Sequence, residues 1–242
     1  MCSHQAYSEP VTGLTGADPR FRDDHGDADK RVAAALAAYA DGAGGEHAVL
    51  SALASSRLLV PVLAAVSVPA VTGADEGDKR SEMAIPSLVG HDGRLALLAF
   101  TGTDSLRRWQ PAARPVPVPA RRVFEAAAAE SSAVVVDVAG PVPLTIEGAR
   151  LAALAAGGEA PDLHEDPDVW AVVAAAAGSV APGIRIRLGP PSAGAAVTLE
   201  LAPPPGSGGQ VGASVAAEVA DAVYARLGDR MRPGIAVLRR PG

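Results

Sequence analysis

The chain has 242 residues, is 48% hydrophobic, and carries 21 basic against 27 acidic side chains, a formal charge of −6. That is enough apolar material for one large domain or two small ones, and the acidic total excludes general nucleic-acid or anionic-membrane binding by the whole chain. The longest apolar runs, 58–66 and 169–177, are too short to cross a bilayer.

The opening residues, MCSHQAYSEP, lack the basic start and apolar segment of an export signal, so cytoplasmic residence is the expectation. Cys2 is the single cysteine and has no partner for an intramolecular disulfide or a thiolate metal site. Two Lys stand against nineteen Arg and Asn is absent, a bias that strips Arg-for-Lys choices of functional meaning. Charge is uneven: residues 1–165 hold 14 basic and 21 acidic side chains, residues 166–242 hold 7 and 6.

Residues 1–27 are polar, contain Gly13, Gly16, Gly26 and the acidic cluster Asp23, Asp24 and Asp27, and predict a disordered leader. From Asp29 the spacing of Val32, Leu36 and Tyr39 predicts a helix, stopped at Asp41-Gly42, and Glu46 to Ser55 predicts a second. An apolar strand starts at Leu58. Strands over 83–89 and 95–100 are joined by His91-Asp92-Gly93-Arg94, where Asp-Gly suits a hairpin turn. Thr101 to Asp104 supplies capping residues for a helix ending near Gln110, with Leu106 and Trp109 spaced to face a core.

PAARPVPVPA reads as an extended edge or connector, because Pro donates no ladder hydrogen bond. A helix from Pro119, strands over 133–138 and 142–146, and a helix over 147–156 complete an N-terminal domain spanning 28–157. Residues 158–165 have the composition of a linker. Residues 166–242 then read as a small α-β-β-α-β domain, opened by the cap pair Asp166-Pro167. Its strands alternate: Ile184, Ile186 and Leu188 against Arg185 and Arg187, then apolar residues against Thr198 and Glu200, with the opposite charges placed to pair across the hairpin.

The stretches RLLVPVLAAV, SEMAIPSLVG, DGRLALLAFTG, LRRWQPAARPVPVPARR and VVVDVAGPVPLTIEG, within residues 57–150, resemble the SseB family, in particular its actinobacterial N-terminal domain. The C-terminal region is similar, less specifically, to the smaller second domain of such proteins. The resemblance implies an α+β fold: a mixed-sheet domain followed by a small α+β module. It brings no catalytic residue, cofactor or ligand set with it.

Asp75, Glu76 and Asp78 are carboxylates of the kind hard cations take, but they lack the spacing of a calcium loop and adjoin Lys79 and Arg80, so they read as a solvated connector. The glycine run Gly206 to Gly212 fits neither common phosphate fingerprint. His4, His25, His47, His91 and His164 occur singly, and Ser81 and Ser105 read as cap or surface residues. Arg230, Arg232, Arg239 and Arg240 flank the last strand as edge charges. One surface lead remains: Arg107, Arg108, Arg114, Arg121 and Arg122, beside Trp109, would hold an acidic peptide or an anion by forked hydrogen bonds if they shared a face.

The expectation is therefore a non-catalytic protein with no cofactor, no metal, no nucleic-acid or membrane partner, and contacts to a protein partner whose identity and stoichiometry stay open. The alternatives are a small-ligand accessory of metabolism, binding an amino acid or an anion, and an enzyme whose polar residues converge only in three dimensions.

Overall fold

The computed structural model describes residues 7–8, 14, 18–64, 83–90, 93–130 and 133–242. The acidic loop at 75–78, Cys2, His4, Ser81 and His91 lie outside them. The elements run β1 (Tyr7–Ser8), α1 (Lys30–Ala40), α2 (Glu46–Ala54), β2 (Arg57–Ala64), β3 (Met83–Ala84), β4 (Pro86–Val89), β5 (Leu95–Ala99), α3 (Thr103–Trp109), β6 (Arg114–Pro119), α4 (Ala120–Ala129), β7 (Ala133–Val136), β8 (Leu144–Ile146) and α5 (Gly148–Ala155). Then come α6 (Pro167–Val180), β9 (Arg185–Gly189), β10 (Val197–Ala202), α7 (Ala213–Leu227) and β11 (Ile235–Arg239). The fold is α+β with mixed sheets. No helix among the described residues is long and apolar enough to cross a membrane.

Contacts divide the chain into two units. The first comprises Met1–Ala33, Leu53–Glu147 and Leu154–Gly158; the second comprises Ala34–Ala52, Gly148–Ala153 and Glu159–Gly242. The second unit thus takes two stretches that the sequence reading assigns to its N-terminal domain.

In the first unit, five strands make a mixed sheet in the order β1-β4-β5-β7-β8, in which β5 and β7 are parallel and the other pairs antiparallel. Three more make an antiparallel sheet, β3-β2-β6. Leu59 and Phe100 link the sheets, each amide donating to the other's carbonyl at 2.8 and 2.9 Å.

The strand expected over 83–89 divides at Ile85, so that β3 pairs with β2 and β4 pairs with β5. The period-two alternation of side chains sorts the larger sheet. Leu98 joins Leu59, Phe100, Leu106 and Ala113 in one cluster, with Leu88, Trp109 and Val135 partly buried against it. Leu97, Val134 and Val136 point the other way, and there α4 packs, with Val123 and Phe124 buried.

The Pro-rich segment is an edge strand. Among the described residues β6 pairs only with β2, and Pro115, Pro117 and Pro119 share one parity opposite Pro61, Leu59 and Arg57. The hairpin turn closes through Gly93 at φ +80°, whose amide donates to the Gly90 carbonyl at 2.9 Å.

Three expectations in this unit are corrected. Residues 18–27 are ordered: Asp24 and the Asp27 carbonyl accept from Arg57, and Gly26 accepts from the Thr103 amide at 2.7 Å. The partner of that acidic cluster lies more than thirty positions away, where local composition cannot reveal it. Thr101 is no cap; its amide and hydroxyl both donate to Asp137, and Gly102 stands at the helix start. Ser105 is neither cap nor surface residue, being buried and donating to Asp137 at 2.5 Å.

The second unit's sheet has the order β11-β10-β9, with β10 parallel to β11 and antiparallel to β9. Val169, Val173, Ala176 and Ala177 of α6 and Ala216, Val219, Val223 and Leu227 of α7 share a core with Val197, Leu199 and Leu201 of β10. Asp166 caps α6 by accepting from the Asp168 amide, with Pro167 in the first turn. Thr198, expected on a wet face, is buried and donates to the Pro190 carbonyl at 2.7 Å, because β10 is the central strand. Glu200 stands opposite Arg187 in register, yet its ion pair is with Arg240 at 3.1 Å.

Candidate functional site

A groove of about 470 Å³ opens in the first unit over the cluster of Leu59, Leu98 and Phe100. Its apolar lining comes from Leu63 at the end of β2, Pro86 and Leu88 on β4, Leu98 on β5, Trp109 at the end of α3, and Ala139 just after β7. The indole is tilted 33° against Phe100 with centroids 5.5 Å apart, which fixes its plane and leaves its remaining surface toward the groove. Ser87, Arg108 and Gln110 are the polar members. The α3 geometry follows from sequence: Leu106 and Trp109, spaced i, i+3, turn inward and carry Arg108 to the rim.

The five sequence-selected arginines do not share a face. Arg107 and Arg108 are exposed on α3 and make no ion pair among the described residues. Arg114 stands opposite Val62, and alternation sets that pair on the face opposite to Leu63, away from the groove. Arg121 pairs with Glu125 one helical turn on, at 2.8 Å, and Arg122 lends its charge to the field at Asp18. At ~3.3 Å per strand residue, β6 separates Arg114 from these two by roughly 16 Å. The groove thus keeps Arg108 alone from the original set. Leu63, Ser87, Leu88 and Leu98 escaped sequence reasoning, since three strands supply them and none carries a local signal.

Behind the groove, the ends of β5 and β7 meet in a buried polar centre. Asp137, at φ +51°, accepts from the Thr101 amide at 2.9 Å, the Thr101 hydroxyl at 2.6 Å and the Ser105 hydroxyl at 2.5 Å. These groups satisfy one another, so the centre is a structural latch.

A comparison with family models matches residues 32–153 to the SseB protein N-terminal domain. This chain belongs to the SseB family. Neither the curated proteins nor the solved structures yielded a match.

The match covers all the groove residues of this SseB family member, and it ends before most of the second unit's polar residues. There a cleft of about 280 Å³ brings together residues that the sequence presents singly. His47, in the first turn of α2, sets Nδ1 3.2 Å from Asp162 Oδ1, with His164 and the Gly42 to Gly45 backbone also lining the cleft. His47, single in the sequence, thus stands close to a carboxylate more than a hundred positions away, although its Nδ1 makes no hydrogen bond.

Beneath the cleft is a buried quartet. Arg150 Nη1 donates to Glu46 Oε1 at 2.6 Å, and Arg230 donates to Glu46 Oε2 at 3.2 Å and to Asp166 Oδ2 at 2.7 Å. Burial alone would lower the Arg230 guanidinium, but the Glu46 charge and the Asp166 hydrogen bond raise it above its ordinary value. Burial, aided by the Glu46 charge, pushes the nearby Tyr39 phenol up to about 12. Arg230 is therefore no edge charge, which corrects the reading of the terminal arginines. Arg240, paired with Glu200, does lie at the surface.

Proposed function

We propose that this SseB family protein is non-catalytic and acts in the cytoplasm through contacts with other proteins. One observation carries the reading: the buried carboxylates Asp137, Glu46 and Asp166 are each held by neighbouring donors, whereas Arg108 stands exposed at the rim of an apolar groove. Asp137 is closed by Thr101 and Ser105, and Glu46 and Asp166 are closed by arginines. Such charge-satisfied centres hold a scaffold, and a concave apolar surface with a cationic rim suits recognition.

The test is reconstitution. A protein captured with this chain from cell extract, purified separately and mixed back, should co-elute with it as a stable complex. Turnover of a metabolite by the purified protein, abolished by one polar substitution, would overturn the reading.

The His47–Asp162 cleft favours a second reading, a small-ligand accessory of metabolism. A thermal-shift panel of amino acids and anions separates the two: a rise in Tm that grows with one compound, and is lost in His47→Ala, favours the accessory. A flat panel favours the interaction protein.

A further inference from the structure

We infer that the groove of the first unit docks a short acidic segment of a protein partner, which sets a large apolar side chain against Trp109 and a carboxylate against Arg108. This rests on the interaction reading above and adds to it the surface and the partner's chemistry.

Charge complementarity selects the occupant. Arg108 is the one charged residue lining the groove among the described residues, and no carboxylate lines it there. A cationic ligand finds no counter-charge, a neutral one leaves the guanidinium unanswered, and a carboxylate meets its forked donors in the geometry that guanidinium favours. The apolar lining excludes a bare anion as the full occupant: Leu63, Pro86, Leu88, Ala139 and the indole line the groove around the buried Leu98, and a hydrocarbon or aromatic group matches that lining. A space of about 470 Å³ holds side chains of a segment rather than the surface of a folded domain. Gln110 and Ser87 add neutral hydrogen-bonding groups that suit a peptide backbone.

Panning a random displayed peptide library on the purified full chain tests this. Enriched sequences should place Asp or Glu within a few residues of an aromatic or large aliphatic residue. The best one, made with both termini blocked so that only side-chain carboxylates count, is then titrated into the Trp170→Phe protein, where Trp109 is the remaining indole of the two.

Its emission should change saturably. Replacing the peptide's acids by amides should weaken binding at least tenfold, as should Arg108→Glu, while Arg121→Glu at the far end of β6 leaves it unchanged. Ala139→Arg, at an exposed position of the lining, should also weaken it at least tenfold without touching a cation. Circular dichroism confirms that each variant is folded.

Enrichment without acids, equal binding by Arg108→Glu, or displacement by millimolar acetate alone would overturn the proposal, the last in favour of a small-anion site. A reconstituted partner complex that survives Arg108→Glu with Ala139→Arg would overturn the groove while leaving the interaction reading intact. Failure of every partner complex to form removes the broader reading instead.

Discussion

Arg57 illustrates how much one side chain organises. Its guanidinium reaches Asp24, the Asp27 carbonyl and the Thr101 carbonyl, tying the N-terminal segment to the end of β5. The hydrogen bond from Arg57 holds the Asp24 carboxyl below its ordinary 3.8. A carboxyl depressed on folding adds stability that is present above its unfolded pKa and lost as pH falls through the folded value. As pH falls below about 4, therefore, the wild-type Tm should fall more steeply than that of Asp24→Asn. Arg57→Met should cost about 3 kcal/mol at neutral pH, because Asp24 is left largely buried without its partner; urea denaturation reads this directly.

Asp137 gives a second residue-scale prediction. Alanine removes the acceptor of three buried donors and sits badly at φ +51°, so Asp137→Ala should lose about 3–4 kcal/mol. Asn tolerates that backbone and keeps one acceptor, and should lose about half as much by the same denaturant measurement.

Among the elements, β6 shows sequence and structure agreeing for a stated reason. Its three prolines share one parity, so their missing amides all fall on the side away from β2, and the sheet's outer edge lacks donors there. Pro117→Val should fold, restore one edge donor, and raise the rate of self-association on mild heating, seen by light scattering. The pattern was legible because proline declares its hydrogen-bond deficit residue by residue. The same holds for Leu106 with Trp109, and for Asp166-Pro167 at the start of α6, where spacing within one turn carries the information.

What was not legible joins residues far apart. The division of the 83–89 strand depends on two different partner strands, and the groove draws on β2, β4, β5 and α3 together. Sequence singled out Arg108 and Trp109 because they adjoin; it grouped Arg121 and Arg122 with them because the reach of an intervening strand is invisible in a residue count.

At the scale of the molecule, the second unit depends on stretches remote from its C-terminal bulk. Glu46 and Arg150 supply half of a buried, charge-balanced quartet completed by Asp166 and Arg230. Arg150→Met should destabilise by about 3–5 kcal/mol, the range expected when one member of a buried ion set is removed. An isolated 159–242 fragment lacks both outside members and should stay unfolded, with a collapsed amide proton spectrum, while the full chain gives dispersed resonances. No composition shift or linker signal could have announced this, because Glu46 reads as an ordinary first-turn helix acid until its partners are placed.

The quartet also sets a timetable for the protein's birth. Glu46 and Arg230 are 184 positions apart, and at ~5–20 residues per second a ribosome needs roughly 10–40 s to make that span. For most of that time Glu46 has emerged and Arg230 does not yet exist. Every residue of the first unit has been polymerised by Gly158, well before Arg230 is made, whereas the second unit must wait for Arg230 to complete its quartet. A ribosome stalled before Arg230 would carry a nascent chain with one finished half and one open half, with Glu46 and Asp166 still in water.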